Sequence, residues 1–397
     1  MSTLENINLS KDVVEGADEV IALRRHFHSH PEASLKEFET IKRIKEELSA
    51  LDIAYVSVGE TGALATITGK AGTGKTVLLR ADIDALELQD ATDKPYTSKN
   101  CGLNHACGHD GHTSTLLGAA KVLKKRENDF CGTIKLAFQQ AEEIGAGARQ
   151  FVQAGHVKDV DQVFGIHLSS YDPVGKIISV PGPTNASCDI FKVKVKGLSG
   201  HVSRPDLGRD ALLSAASIIV ELQSIVAREV SPLDTVVVGV GVLNAGTRYN
   251  VIANEASFEG TVRTFSHETR KNVLESVERI SKDTAKSHKT SAEIEIYNAA
   301  APLINDTKSA EFGQKVAAGI VGSENVITSE EKSLGADDFA DFLAEAPGLY
   351  ARVGTKNPDN EETWYGHHHE NFDIDERSLA IATQFYVNYA LEYLARS

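Results

Sequence analysis

The chain has 397 residues, too many for one ordinary hydrophobic core, and this length predicts about two or three domains. Its formal net charge is −15 at pH 7 and its basic residues form no block, so we expect neither nucleic acid nor an anionic membrane as a partner. The first residues lack a basic and apolar leader, no apolar run approaches the ~18 residues that span a bilayer, and the four cysteines are too few for a disulfide framework. We therefore expect a cytoplasmic protein.

The first block of the chain, about residues 11 to 180, alternates between helical and strand patterns. His30 precedes Pro31, and because a residue before proline leaves the helical region, we expect a break between two helices there. The predicted elements are helices at 17–34 and 35–51, strands at 63–68 and 76–80, a helix at 112–126, a strand at 133–138, a helix at 146–154 and a strand at 162–166. This alternation predicts an α/β fold with a mixed, largely parallel sheet flanked by helices.

Residues 69–76, GKAGTGKT, match the phosphate-loop template G-x-x-x-x-G-K-[ST] at every defined position. The template requires a helix after the loop, because the first-turn N–H groups and the helix dipole face the phosphates. The residues that follow, TVLLRADIDAL, have strand character and no helical period. We therefore interpret the stretch as the glycine turn of a β-hairpin, with nucleotide binding as the less favoured alternative.

The middle block, residues 184–299, has a different pattern. Two long amphipathic helical segments lie among strand-like runs in the order β-α-β-β-α-β, which is the ferredoxin-like unit. The last block, residues 300–397, returns to the alternation of the first. We predict a main domain made of residues 1–183 and 300–397, with residues 184–299 inserted as a ferredoxin-like satellite domain.

Side chains that bind metals gather at the ends of the predicted strands. In open α/β sheets ligands bind beyond the carboxyl ends of the strands, so we expect these side chains to meet at one edge. They are Asp82, Asp84, Glu142, Glu143 and His167, together with His105, Cys107, His109 and His112 before a helix, and His367, His368 and His369. Taken singly, the paired glutamates are typical of a solvated loop and Cys107 of a small buried thiol. Their convergence favours a metal site.

Six motifs in chain order carry a resemblance to a known family. They are HACGHDGHT, FQQAEEIGAGA, GIH, GLSGHVSRPDLGRDA, YNVIANEASFEGTVRTF and HHENFDIDE, and they are preceded by LRRHFHSHPEASLKEFET. With these motifs the sequence resembles, over nearly its whole length, the aminoacylase and hippurate hydrolase type of amidohydrolase. These enzymes are dinuclear metallopeptidases related to the auxin-conjugate hydrolases.

The resemblance implies a role for each residue that matches a family motif. It makes Cys107 the bridge between two metal ions, His109, Glu143, His167 and His368 the other ligands, Glu142 the general base, Asp84 the carboxylate that orients a ligand histidine, His201 the oxyanion donor, and Asn250 and Arg263 the group that holds a substrate carboxylate. His368 lies four residues before Phe372, as the family's ligand does, while His367 and His369 remain alternatives. Asp82 stands where relatives with a His-x-Asp motif have a histidine, and His109 is its implied replacement.

The sequence departs from the family pattern at several positions. The departures are Glu87, Gln140 and Glu370 in place of common prolines, and Asp337 in place of the usual glutamate. None of them removes a proposed ligand. The added acidic groups weaken the transfer of substrate specificity from other members.

The resemblance also implies an activity, which is hydrolysis of the amide bond of an N-acyl amino acid by metal-activated water. It implies a homodimer or higher oligomer formed through the satellite domain, with His201 and Asn250 donated to the neighbouring subunit's site. The alternatives are a dipeptidase or carboxypeptidase with the same site, and a non-catalytic scaffold that binds peptide or metal. Two divalent ions per subunit are expected, with zinc favoured by the ligand set and manganese, cobalt or nickel left open.

Overall fold

In the computed structural model, which describes residues 7–396, helices and strands alternate over the first part of the chain. These elements are α1 (Lys11–Ser29), α2 (Phe38–Ala50), β1 (Ala54–Val58), β2 (Gly62–Thr68), β3 (Thr76–Asp82), α3 (His109–Lys125), β4 (Thr133–Gln139), α4 (Ala148–Gln153), β5 (Gln162–Pro173), β6 (Ile177–Ile178) and β7 (Gly182–Asn185). The strands β3 and β4 are apolar and almost wholly buried. Buried, near-continuous apolar strands are typical of a parallel sheet that is covered on both faces.

The next part of the chain forms a separate antiparallel sheet with two helices. Its elements are β8 (Cys188–Lys196), α5 (Ala211–Ser224), β9 (Val236–Ala245), β10 (Glu255–Thr264), α6 (His267–Ser287), β11 (Ser291–Ala300) and β12 (Leu303–Asn305). The strand order is β11-β8-β10-β9, and all neighbours are antiparallel. This order, with a helix after the first and third strands, confirms the predicted ferredoxin-like unit.

The last part of the chain completes the first sheet. Its elements are α7 (Thr307–Val321), β13 (Val326–Ile327), α8 (Phe339–Glu345), β14 (Gly348–Lys356) and α9 (Arg377–Leu394). The sheet has the order β1-β2-β4-β3-β5-β14-β6-β13, in which β4, β3, β5 and β14 are parallel neighbours. The predicted α/β class, with a mixed and largely parallel sheet flanked by helices, is confirmed.

The described chain divides into two compact units. The first comprises the chain up to Gly182, Asn305–Glu331 and the chain from Asp338, and the second comprises Pro183–Ile304 with Lys332–Asp337. The sequence places residues 332–337 in the main domain instead. In the structure the backbone N–H of Ser333 donates to the carbonyl of Thr184 at 2.8 Å, so this short segment packs with the second unit.

The interpretation of GKAGTGKT as a hairpin turn is wrong, because β2 and β3 are not paired. β4 lies between them, antiparallel to β2 and parallel to β3. The glycine stretch packs against the turn before β4, where Gly69 N donates to Gly132 O at 2.8 Å and Gly132 N donates to Gly72 O at 3.0 Å. The Lys75 ammonium donates to the carbonyl of Arg396. Since β3 follows the glycines directly, the motif lacks the helix on which phosphate binding depends.

Two other predictions about strands need correction. β1 is missing from the predicted elements because four of its five residues are exposed and give no burial pattern. β5 is predicted to end at residue 166 but extends to Pro173. His167 therefore lies within a strand and not after its end.

Helix α5 continues as a π-helical turn, Ile225–Glu229, and combines a buried and an exposed apolar face. Ala215, Ile218 and Leu222 belong to the core of the second unit. The combined segment Ala211–Glu229, with a mean hydropathy of 1.5 and a third of its residues buried, is long and apolar enough to span a membrane by length and composition alone. This segment is an exception to the expectation that no apolar run approaches the ~18 residues that span a bilayer.

Candidate metal centre

The predicted metal-binding side chains of the first unit approach one another at one edge of its sheet. Asp84 follows β3, Glu142 and Glu143 follow β4, and His109 is the first residue of α3. β3 is the parallel neighbour of both β4 and β5, and β5 carries His167. The parallel order of these three strands accounts for the convergence.

The five proposed ligands form two overlapping groups that share Cys107. The Cys107 Sγ, a His109 nitrogen and a His167 nitrogen all lie within 4.8 Å of one another, and so do the Cys107 Sγ, a Glu143 oxygen and a His368 nitrogen. The Cys107 Sγ is 3.6 Å from His167 Nε2. A thiolate common to two ligand groups is suited to bridging two cations.

Hydrogen bonds fix which nitrogen of two imidazoles carries a lone pair. His109 Nδ1 lies 3.0 Å from the carbonyl oxygen of Asp84 and 3.3 Å from its Oδ1. His167 Nδ1 lies 2.7 Å from the carbonyl oxygen of Leu168. These oxygens only accept, so Nδ1 is the protonated nitrogen of each ring and Nε2 is left as the ligand atom.

A strained turn after β4 presents the two glutamates. Ala141 has a φ of 54°, which is in the left-handed region, and its N–H donates to Glu37 Oε1 at 2.9 Å. The N–H of Glu143 donates to Asp84 Oδ2 at 3.1 Å, so the carboxylate that orients His109 also fixes this turn. Glu142 Oε2 lies 3.9 Å from His109 Nε2. Glu142 thus lies near the ligand groups, but it is Glu143 that belongs to the group with Cys107 and His368.

The three consecutive histidines point to different neighbours. His368 Nε2 lies 3.5 Å from Glu143 Oε2. The ring of His367 packs edge-on against that of His167, with centroids 4.9 Å apart, and His369 stacks on a tyrosine ring at 4.5 Å. Of the three, His368 is the one that belongs to a ligand group.

The electrostatics of the cluster favour cations. Burial and the nearby Glu143 raise the pKa of the Cys107 thiol well above its ordinary value. Burial also raises the pKa of Glu143 to about 7. In contrast, burial lowers the pKa of His167 well below its ordinary value, so its imidazole is neutral at pH 7. A divalent cation would offset the anionic thiolate and carboxylate in place of protons.

Asp82 and His112 are candidate metal-binding residues in the sequence, but in the structure they bind each other beside His109. His112 Nδ1 lies 2.5 Å from Asp82 Oδ1, while His112 Nε2 accepts the N–H of Leu168 at 2.8 Å. Arg80 donates to the second Asp82 oxygen at 2.6 Å. Asp82 is therefore bound on both oxygens, although it also lies 3.7 Å from His109 Nε2. The spacing of His109 and His112 in the sequence could have predicted this arrangement, because residues one helical turn apart lie on the same face of a helix.

The remaining predicted site residues lie in the second unit. His201 is exposed, and its Nδ1 accepts the N–H of Ser203 at 3.1 Å. Asn250 is exposed on the adjoining segment, where its carbonyl accepts the N–H of Val202. Arg263 is partly buried on β10. His201 and Asn250 are thus neighbours, and the proposed roles of all three stay predictions.

The donor set of the first unit fits metal ions. Among the described residues, His109 Nε2 and Glu143 Oε1 are buried without a hydrogen-bond partner. Unpaired buried polar atoms are costly unless something binds them. One thiol, two or more imidazoles and a carboxylate are ligands suited to first-row divalent ions.

Comparison with known proteins places these residues in a wider group. Residues 78–392 match the model described as peptidase family M20/M25/M40. The chain is 38% identical over 374 residues to the N-acetylcysteine deacetylase of Bacillus subtilis, covering 94% of this chain and 96% of that protein. It is 34% identical over 392 residues to the hippurate hydrolase of Campylobacter jejuni, covering 98% of this chain and all of that protein.

A solved structure gives the same picture in three dimensions. It is a dinuclear metal-binding peptidase of the M20 family from Bacillus subtilis. The TM-score is 0.81 at 34% sequence identity, and the match covers 96% of this chain and 99% of that one.

We predict that Cys107→Ala removes both metal ions, because Cys107 belongs to both ligand groups. His167→Ala and His368→Ala should each weaken mainly one of the two ions. Elemental analysis after dialysis against a weak chelator measures the content per chain, with Cys131→Ala as the thiol control. Two ions retained in Cys107→Ala would contradict the shared-ligand arrangement.

Proposed function

The chain belongs to peptidase family M20/M25/M40, and from this premise we propose that it hydrolyses the amide bond of N-acyl amino acids at a dinuclear metal site. The family membership and the relatives make it a metal-dependent amidohydrolase or peptidase. The observation that carries the finer proposal is the pair of ligand groups joined by Cys107, with Glu142 beside them.

The metal ions, held by Cys107, His109, Glu143, His167 and His368, would acidify a water molecule and polarise the scissile carbonyl. Glu142 accepts the proton of the attacking water on its carboxylate. It then donates that proton to the leaving nitrogen, because an amine departs more easily than an amide anion. In this proposal Glu142 transfers the proton and Glu143 is a metal ligand.

The family resemblance extends the proposal to three residues of the second unit. His201 donates a hydrogen bond to the carbonyl oxygen as negative charge develops on it. Arg263 and Asn250 bind the substrate carboxylate, since the guanidinium fork matches a carboxylate in geometry and charge. A free carboxylate is the common feature of N-acyl amino acids and of peptide C-termini.

We also propose a homodimer through the second unit. The exposed face of α5 presents Leu212, Leu213 and Val220, of which Val220 is 71% exposed. β9 is an edge strand of the sheet and exposes Val242 and Leu243. An apolar helix face beside an unpaired edge strand is typical of a surface that a second copy covers. The exposed His201 would then serve the partner's site.

We propose zinc as the native metal and the cytoplasm as the compartment. A thiolate with imidazole and carboxylate ligands suits zinc, and manganese, cobalt or nickel can occupy the same set. All four cysteines are free thiols, which supports the reducing cytoplasm as the compartment.

The second candidate activity is hydrolysis of dipeptides or of a C-terminal peptide bond. It is favoured by the likeness to a solved peptidase of the same family. Both activities use the same chemistry at the scissile amide, so the acyl pocket decides between them.

We expect N-acetyl and N-benzoyl amino acids to be hydrolysed with a kcat/KM at least about tenfold above that of matching dipeptides. A chelator should abolish this activity, and readdition of single metals should restore it to different degrees. Measured preference for dipeptides would support the second candidate. Hydrolysis of neither class by the metal-loaded protein would contradict the enzymatic proposal.

Glu142→Gln should lower kcat by about 10²- to 10⁴-fold, because the variant keeps the side-chain shape but cannot move the proton. Its metal content should equal that of the wild type. Glu143→Gln is the matched control, and it should lose metal as well as activity. Hydrolysis by Glu142→Gln at the wild-type rate would contradict the role of Glu142 as general base.

Mixing two inactive variants tests donation between subunits. If His201 serves the partner's site, a heterodimer of Glu142→Gln and His201→Ala has one complete site, so unfolding and refolding them together at equal amounts should recover about a quarter of wild-type activity. Each variant refolded alone should stay inactive. No recovery, with heterodimers demonstrated by mass, would show that His201 acts within its own chain.

A further inference from the structure

Arg24 of α1 is a fully buried guanidinium that joins two parts of the first unit. Its Nε donates to Asp110 Oδ2 at 2.8 Å, and its Nη2 donates to Asp373 Oδ1 at 2.7 Å. The Arg24 side chain has no exposed surface, and neither has that of Asp110. A buried charge pair of this kind is strongly disrupted when one partner is removed, because the other charge is left uncompensated.

The two carboxylates belong to the chain segments that carry proposed metal ligands. Asp110 directly follows His109 in α3. Asp373 lies five residues after His368, in a stretch without regular secondary structure that ends at α9. Arg24 therefore bridges the segment that carries His109 and the segment that carries His368.

Other buried groups complete the bridge. The Tyr96 hydroxyl donates to the second oxygen of Asp373 at 2.9 Å, and its ring lies 5.0 Å from the Arg24 guanidinium. His28 Nδ1 lies 2.8 Å from Asp110 Oδ2. Burial alone would raise the pKa of Asp373, but the charge of Arg24 holds that pKa below its ordinary value. Both carboxylates are therefore held as anions by the same cation.

The two bridged segments differ in how much else holds them. His109 is buried in the first turn of a helix, and Asp84 binds its ring. His368 has a half-exposed side chain and a φ of 63°, which a residue other than glycine adopts only when its surroundings hold it. Two backbone hydrogen bonds anchor its segment, from the His368 N–H to the carbonyl of Ala106 at 2.8 Å and from the N–H of Ala91 to the carbonyl of Glu370 at 2.9 Å. Loss of the bridge should affect His368 far more than His109.

We propose that Arg24 is a positioning residue for one metal position, the Cys107, Glu143 and His368 group. Through Asp373 it holds the segment that presents His368, whereas the rings of His109 and His167 in the other group are also held by hydrogen bonds to Asp84 and Leu168. The inference rests on the proposed dinuclear site. A purely structural role would lower the thermal stability of the protein and leave the relative affinities of the two ions unchanged.

The test is a zinc titration of the metal-free full-length protein by calorimetry with a competing chelator. The wild type should bind two ions. Arg24→Gln should bind one ion with wild-type affinity and the other at least about tenfold more weakly, and Arg24→Lys should recover part of the loss because it keeps the charge. Arg25→Gln is the control, because the half-exposed Arg25 pairs with Glu376 and not with Asp110 or Asp373.

Two milder variants keep the proposal testable if Arg24→Gln does not fold. Tyr96→Phe and Asp373→Asn each remove one contact of the bridge and should weaken the same ion in the same direction, by less. Equal weakening of both ions, or unchanged affinities in variants whose unfolding temperature has dropped, would overturn the inference. A wild type that binds fewer than two ions would instead overturn the proposed function on which it rests.

Discussion

The constraint on which the first unit depends is an excess of buried negative charge at one edge of its sheet. Asp82, Asp84, Glu142 and Glu143 lie around His109, and a nearby thiol joins them. Arg80 and His112 bind Asp82 on both oxygens, so that carboxylate is balanced within the protein. Burial raises the pKa of Cys107 and of Glu143, whose Oε1 has no hydrogen-bond partner, so these groups are neutralised either by protons or by bound cations. This edge of the sheet is therefore suited to binding cations.

Much of the architecture serves to hold these acceptors in place. Asp84 is the link, because it orients the His109 ring and accepts the N–H of Glu143. Ala141 enters the left-handed region, and the buried Glu37 accepts its N–H at 2.9 Å. Strain at such a turn costs on the order of 1–3 kcal/mol and persists only where surrounding contacts fix it.

The sequence could predict the segments that meet at this edge, because apolar strands followed by acidic residues and a Cys-Gly-His run before a helix are local patterns. Strand pairing is not local, and nothing in GKAGTGKT reveals that β4 separates β2 from β3. The choice among three adjacent histidines likewise depends on the left-handed backbone at His368, which residue type alone does not indicate. The hydrogen-bond partners of Arg24 lie 86 and 349 residues away from it in the sequence, and no local pattern indicates them.

The two ligand groups differ in chemistry as well as in support. One pairs the Cys107 thiol with two imidazoles, His109 and His167, while the other pairs it with the carboxylate of Glu143 and the half-exposed His368. A carboxylate behind an imidazole raises its basicity as a ligand, and Asp84 does this for His109, whereas His167 is bound only to a backbone carbonyl. Nitrogen-rich and oxygen-containing sites rank divalent metals differently. The two positions are therefore inequivalent by construction, and a single metal need not be the best occupant of both.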